Sequence, residues 1–180
     1  MVIQNVNNMK QTIKIKKINK NIATPEISKK GDWIDLRAAK DIAIVGPYTM
    51  QARKDKDRKV IFDSNLVPLG IAIELPKGYE AVVNMRSSAF KNYCVILANS
   101  QGVIDNTYNG DDDQWFAHLI ALRDAVICEG DRICQFRIQL SQKATVWQKL
   151  KWLFSSGVKI KVVENLGNKN RGGHGSTGRR

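Results

Sequence analysis

The feature that most restricts how this chain can fold is a succession of short apolar runs with a period of two. They are cut at intervals of about eight to twelve residues by Gly, Pro, Asn or Asp. Thr12–Ile18 (TIKIKKI) alternates strictly; Leu66–Met85 (LVPLGIAIELPKGYEAVVNM) reads as two strands around Pro76-Lys77-Gly78; Ala125–Ile138 (AVICEGDRICQFRI) repeats the form around Glu129-Gly130-Asp131. A strand buries alternate side chains, so such runs need a second apolar face to pack against. The spacing predicts an all-β sandwich or barrel. Strands are expected at Lys14–Ile18, Asp41–Val45, Val67–Glu74, Tyr79–Met85, Val95–Ala98, Leu119–Arg123, Asp131–Gln139 and Val158–Asn165.

A chain of 180 residues with 43% hydrophobic content has enough apolar surface for one domain, and no run of apolar residues is long enough for a membrane span. The first residues lack the apolar stretch of a secretion signal, and Cys94, Cys128 and Cys134 form no CxxC pair, so a reducing cytoplasm is the expected setting. The net charge of +12 is unevenly placed. Residues 1–30 hold seven Lys against one Glu, and residues 141–180 hold nine Lys or Arg against one Glu, whereas residues 31–140 hold thirteen basic against fifteen acidic side chains. Basic ends on a slightly acidic body suit an anionic ligand met by the termini as well as they suit a nucleic-acid face.

Three segments depart from the strand pattern. Gln51–Lys59 (QARKDKDRK) is a mixed charge run expected at a solvated hairpin tip. Thr145–Gly157 spaces Val146, Trp147, Leu150, Leu153 and Phe154 as one face of a helix with Gly157 as its stop, and that face is expected to dock on the sheet or a neighbouring subunit. The last eleven residues, NRGGHGSTGRR, contain no apolar side chain. Their glycines, hydroxyls and guanidinium are the parts of a phosphate cradle, but the Lys, strand and helix of a P-loop are missing.

Ordinary catalytic kits are absent: the chain has two histidines, His118 and His174, and neither HExxH nor GxSxG. Five stretches remain that could carry chemistry: DWIDLRAA (Asp32–Ala39), MRSSAF (Met85–Phe90), ANSQGVIDNTYNGD (Ala98–Asp111), GDRICQ (Gly130–Gln135) and RGGHGSTG (Arg171–Gly178). In this order they resemble the five motifs of trimeric dUTPases, and the resemblance extends from Gly31 to Gly178. It implies a distorted jelly-roll β-barrel or sandwich and the hydrolysis of dUTP to dUMP and pyrophosphate by in-line attack of water on the α-phosphorus, assisted by Mg²⁺.

By the same resemblance, Asp105 activates the water and Tyr108 lies under the deoxyribose, where its ring leaves no room for a 2′-hydroxyl. Arg86, Ser87 and Ser88 match the phosphate and Mg²⁺-region contacts, and Gln135 the amide on the α-phosphate. Asn99, Val103 and Ile104 belong to the hairpin that reads uracil. Arg171, His174, Gly175, Ser176 and Thr177 belong to a C-terminal arm that crosses to another subunit of a homotrimer and closes over its triphosphate. Mg²⁺ would sit on phosphate oxygens and waters with no direct protein ligand, Asp35 acting through water. The organisation implied is a β domain over 1–165, with inserts at 51–59 and 145–157, and an arm over 166–180.

Some positions depart from the family pattern. His174 stands where a phenylalanine stacks over uracil, Met85 where a proline precedes the arginine, and Ser88 where a glycine follows RS. Phe116, or failing it Trp115, is the candidate for the missing ring, since both end the unusual stretch GDDDQWF near the hairpin. Two alternatives stay open: a dCTP deaminase, which would need a glutamate near Ser100–Tyr108 where none occurs, and a regulatory member of the family that binds a protein partner through 145–157.

Overall fold

The computed structural model of the chain describes residues 10–27, 31–50 and 59–173. The alternation at the N-terminus becomes strand β1 (Gln11–Lys17), in which Gln11, Ile13 and Ile15 are buried and Thr12 is exposed. In chain order there follow β2 (Ile34–Arg37), β3 (Ile42–Ile44), β4 (Tyr48–Met50), β5 (Lys59–Ile61), β6 (Ser64–Glu74), β7 (Tyr79–Met85), helix α1 (Ala89–Tyr93), β8 (Val95–Leu97), β9 (Gly102–Asp105), β10 (Gln114–Ala121), β11 (Ala125–Ile127), β12 (Arg132–Leu140), helix α2 (Val146–Leu153) and β13 (Val158–Val163). One sheet has the order β13-β1-β6-β10-β8 and a second the order β2-β12-β7-β9, while β3 pairs with β11 and β4 with β5.

The two larger sheets bury one face each against the other, as period-two strands require. Ile13, Ile15, Val67, Leu69, Ile71 and Ile73 come from the first sheet, and Ile34, Leu36, Tyr79, Ala81, Val83 and Phe136 from the second, into one core. Trp115 on β10 meets Phe136 on β12 edge to face, with ring centroids 5.2 Å apart, and so ties the sheets together. All eight expected strands form. β13 runs parallel to β1, and the remaining pairs are antiparallel.

The charged stretch at 51–58 lies outside the described residues, but its flanks β4 and β5 pair antiparallel, Tyr48 opposite Ile61. α2 forms where expected, started by a capping box in which Thr145 Oγ1 accepts from the Gln148 amide and Gln148 Oε1 from the Thr145 amide. Its docked face is not the expected one. Val146, Trp147, Leu150, Leu153 and Phe154 are all exposed, Trp147 to 81%. The helix instead rests on Trp152, whose ring lies 5.4 Å from that of Tyr79, and on Gln148. Gly78 lies against the Gln148 carboxamide with φ 85°, a backbone conformation that favours glycine at this turn.

Candidate active site

β8 and β9 are joined by the turn at residues 98–101, yet β8 pairs with β10 in one sheet and β9 with β7 in the other. Ser100 takes the left-handed conformation (φ 56°) to make that turn, and Gln101 Nε2 donates to Asn84 Oδ1 at 3.1 Å. Splitting one hairpin between two sheets opens a cavity of about 160 Å³ at their edge. That is the scale that accepts a single six-membered ring. Asn99, Val103, Ile104, Tyr108 and Phe116, all expected to contact the nucleoside, line it together with His118. Trp115 lines the cavity as well, 0% exposed and packed in the core, whereas Phe116 is half-buried. His118 was not anticipated, although it follows Phe116 by two residues and period two puts both on one face of β10. Its Nε2 lies 2.8 Å from Ser64 Oγ.

Asp105 ends β9 and opens an Asx turn: its Oδ1 accepts from the Thr107 amide at 2.8 Å and the Thr107 hydroxyl at 2.5 Å. Its Oδ2 accepts from Arg171 Nη1 at 2.7 Å. Burial alone would raise its pKa, but the bonds from Thr107 and Arg171 outweigh this and hold the carboxyl below the ordinary range. Asp105 is therefore ionised at neutral pH. Tyr108, three residues on, donates from its hydroxyl to the Gln114 carbonyl at 2.9 Å, and burial followed by the Asp113 charge raises its pKa.

Arg171 arrives at Asp105 because the chain from Leu166 to Gly172 is laid along Gly110–Asp113. Asp111 accepts from the Leu166 and Gly167 amides, Asp112 and Asn170 exchange two hydrogen bonds, and Asp113 accepts from the Arg171 and Gly172 amides. Leu166 is buried, and the segment from Leu166 to Gly173 lies against Gly110–Asp113. Arg171 meets Asp105 within the one chain described. His174, Gly175, Ser176 and Thr177 lie outside the described residues.

The expected phosphate contacts converge elsewhere. Gln135 on β12 stands opposite Asp35 on β2 and Asn84 on β7. Asp35 binds Arg86 Nε at 2.8 Å through one oxygen and Arg132 Nη1 at 3.1 Å through the other. Arg132 lies within the GDRICQ stretch but had no assigned part. Ser87 is exposed and Ser88 half-buried, just ahead of α1, where the Ser88 side chain makes no cap hydrogen bond. Among the described residues no three His, Cys, Asp or Glu side chains group as a metal site.

These two groups of residues do not meet on one chain. Asp105 is opposite Glu80 at the start of β7, and Arg86 directly follows the end of β7 at Met85. Six residue steps of extended strand separate Glu80 from Arg86, about 20 Å.

Residues 46–151 match the family model described as dUTPase. The chain is 48% identical, over 92% of its length and 97% of the relative's, to the SPbeta prophage-derived deoxyuridine 5'-triphosphate nucleotidohydrolase YosS of Bacillus subtilis. It is 32% identical to a deoxyuridine 5'-triphosphate nucleotidohydrolase of Helicobacter pylori, over 73% of this chain and 81% of that one. In fold it resembles a dUTPase from Streptococcus mutans (TM-score 0.57, 20% identity, 73% of this chain and 98% of that one). It also resembles a mutant dUTPase of S. aureus phage phi11, described for its coordination of a structural Mg(II) ion (TM-score 0.58, 14% identity, 74% and 94%).

Proposed function

Because this chain belongs to the dUTPase family, we propose that it hydrolyses dUTP to dUMP and pyrophosphate at sites shared between the subunits of a homotrimer. The observation that carries the shared site is the separation of about 20 Å between Asp105 and Arg86 along β7. One subunit would supply the nucleoside cavity, Asp105 and Arg171, and its neighbour would supply Arg86, Ser87, Ser88, Gln135 and Asp35.

In this reading uracil enters the cavity lined by Asn99, Val103, Ile104 and Phe116, and the sugar stacks on Tyr108. Asp105 takes a proton from water as the water oxygen bonds to the α-phosphorus. The bond from that phosphorus to the bridging oxygen breaks, and pyrophosphate leaves with the electron pair. Arg86, a planar fork of donors, and the Gln135 amide stabilise charge on the α-phosphate. Arg171 neutralises Asp105 before substrate arrives and exchanges that carboxylate for phosphate oxygens when the arm closes, His174, Gly175, Ser176 and Thr177 completing the cover. Asp35 would hold Mg²⁺ only through water, because both of its oxygens already bind guanidinium groups and Mg²⁺ retains waters readily. When bound, it neutralises the triphosphate.

The substrate would come from a cytoplasmic nucleotide pool. A protein partner at α2 belongs to the same reading, since five apolar side chains are exposed there; capture of a partner should be lost on deleting residues 146–156. A dCTP deaminase is not favoured, as no glutamate lines the cavity among the described residues.

The test is pyrophosphate release from dUTP, dTTP, dCTP and UTP, with Asp105→Asn as the control. The expected result is release from dUTP alone and a fall in turnover of about two to four decades in the variant, with nucleotide binding retained. Undiminished turnover in Asp105→Asn would remove Asp105 from the role of base.

A further inference from the structure

The geometry points to Asp113 as a positioning residue that fixes the C-terminal segment so that the Arg171 guanidinium sits on Asp105. Asp113 is 1% exposed and is the one buried carboxylate among the described residues. A buried carboxylate is costly unless hydrogen-bonded, and backbone amides meet this need. Asp113 Oδ2 accepts from Gly110 at 2.8 Å and Arg171 at 2.9 Å, and Oδ1 accepts from Gly172 at 3.0 Å and Arg171 at 3.1 Å. One side chain thus joins the turn that follows Asp105 to a segment 58 residues further along.

The ion pair between Arg171 and Asp105 could not do this alone. Its side chains are 43% and 46% exposed, and pairs so open to water contribute little. Further contacts hold the backbone either side of it. Asn170 donates to Asp112 at 2.7 Å and accepts from its amide at 2.9 Å, and Gly173 passes over Tyr108, close enough that an added Cβ would lie 3.1 Å from the ring. Gly110 is the point of nearest approach: a Cβ there would stand 2.5 Å from Asn170 Cα. Holding the backbone of Arg171 leaves only its side chain to be ordered, which is how preorganisation lowers the cost of a contact. The role rests on the dUTPase reading only in making Asp105 the base.

Two measurements on the full chain test it. The first is tryptic cleavage after Lys169 and Arg171 without nucleotide. Asp113→Asn, which replaces an acceptor by an amide donor facing the arm, should speed cleavage about tenfold or more. Gly110→Ala, which keeps the carboxylate but obstructs the arm, should do the same and serves where Asp113→Asn does not fold. The second is a double-mutant cycle on kcat/KM for dUTP. Arg171→Ala should lower it, each of the other variants should lower it by about tenfold, and combining either with Arg171→Ala should lower it by clearly less than the product of the two, because both act in part through the same guanidinium. A purely structural part for Asp113 gives an additive cycle. Cleavage at the wild-type rate in both variants, or an additive cycle, overturns the proposal. A wild-type chain that releases no pyrophosphate from dUTP refutes the dUTPase reading instead, and the cleavage measurement still decides whether Asp113 holds the arm.

Discussion

Truncating Phe116 distinguishes a ring that stacks on a base from a ring that fills a core. Phe116 is half-buried in the cavity wall beside Asn99 and Tyr108, whereas its neighbour Trp115 is buried against Phe136. Phe116→Ala should therefore weaken binding of a dUTP analogue by about 1–3 kcal/mol. It should leave Tm nearly unchanged, and His174→Ala should do much less. A stability loss of about 3–5 kcal/mol with unaltered affinity in the folded fraction would make it a core residue. Asp113 has its own signature in pH. Burial pushes its pKa up, but the amides of Arg171, Gly110, Gly172 and Asn109 overcome this and hold it below the ordinary 3.8. A carboxyl lowered in the folded state contributes stability that is complete above its unfolded value and lost as pH falls through the folded one. Tm should therefore drop more between about pH 5 and about pH 3 in the wild type than in Asp113→Asn. Asp105 and Tyr108 were legible as motif positions. Asp113 was not, since nothing local marks a carboxylate that also accepts from a backbone amide 58 residues away.

At the scale of elements, apolar runs found eight strands, the three-residue β3 and β8 among them, but not β2, β4, β5, β9 or β11, each of three or four residues. A run that short completes at most two periods, so pairing with a neighbour decides it. α2 shows the complementary difficulty. Its period and its Thr145 cap were readable, yet the apolar stripe faces solvent and the contacts come from Trp152 and Gln148. Apolar spacing identifies a helix; burial depends on what lies opposite, and here that is Tyr79 and Gly78. Trp152→Ala should thus cost about 1–3 kcal/mol in denaturant unfolding through the lost packing on Tyr79. Trp147→Ala should stay within about 0.5 kcal/mol, as for an exposed side chain without partners in the fold. Equal losses for the two would mean that the exposed stripe is covered in the assembled protein.

For the whole molecule, the placement of two half-sites on one strand makes assembly part of the chemistry. If Asp105 of one subunit serves the phosphate group of the next, Asp105→Asn and Arg86→Ala chains should each be nearly inactive alone. Unfolded together and reassembled in equal amounts, they should regain pyrophosphate release. A site then needs an intact Asp105 from an Arg86→Ala chain and an intact Arg86 from an Asp105→Asn chain, and random assortment gives about one such site in four. The contact between Arg171 and Asp105 within one chain adds a sharper expectation. Mixing Asp105→Asn with a chain truncated before Leu166 should restore nothing, because every subunit with an intact Asp105 then lacks its own arm. Recovery in that second mixture, in verified mixed trimers, would show that base and arm are drawn from different chains. The docked path from Leu166 to Gly173 would then be the path of a neighbour's arm across the same acidic turn. No recovery in the first mixture would place Asp105 and Arg86 of one subunit at one site, and the extended strand between them argues against that, because β7 would have to give up its pairing with β12 and β9 to close a gap of about 20 Å.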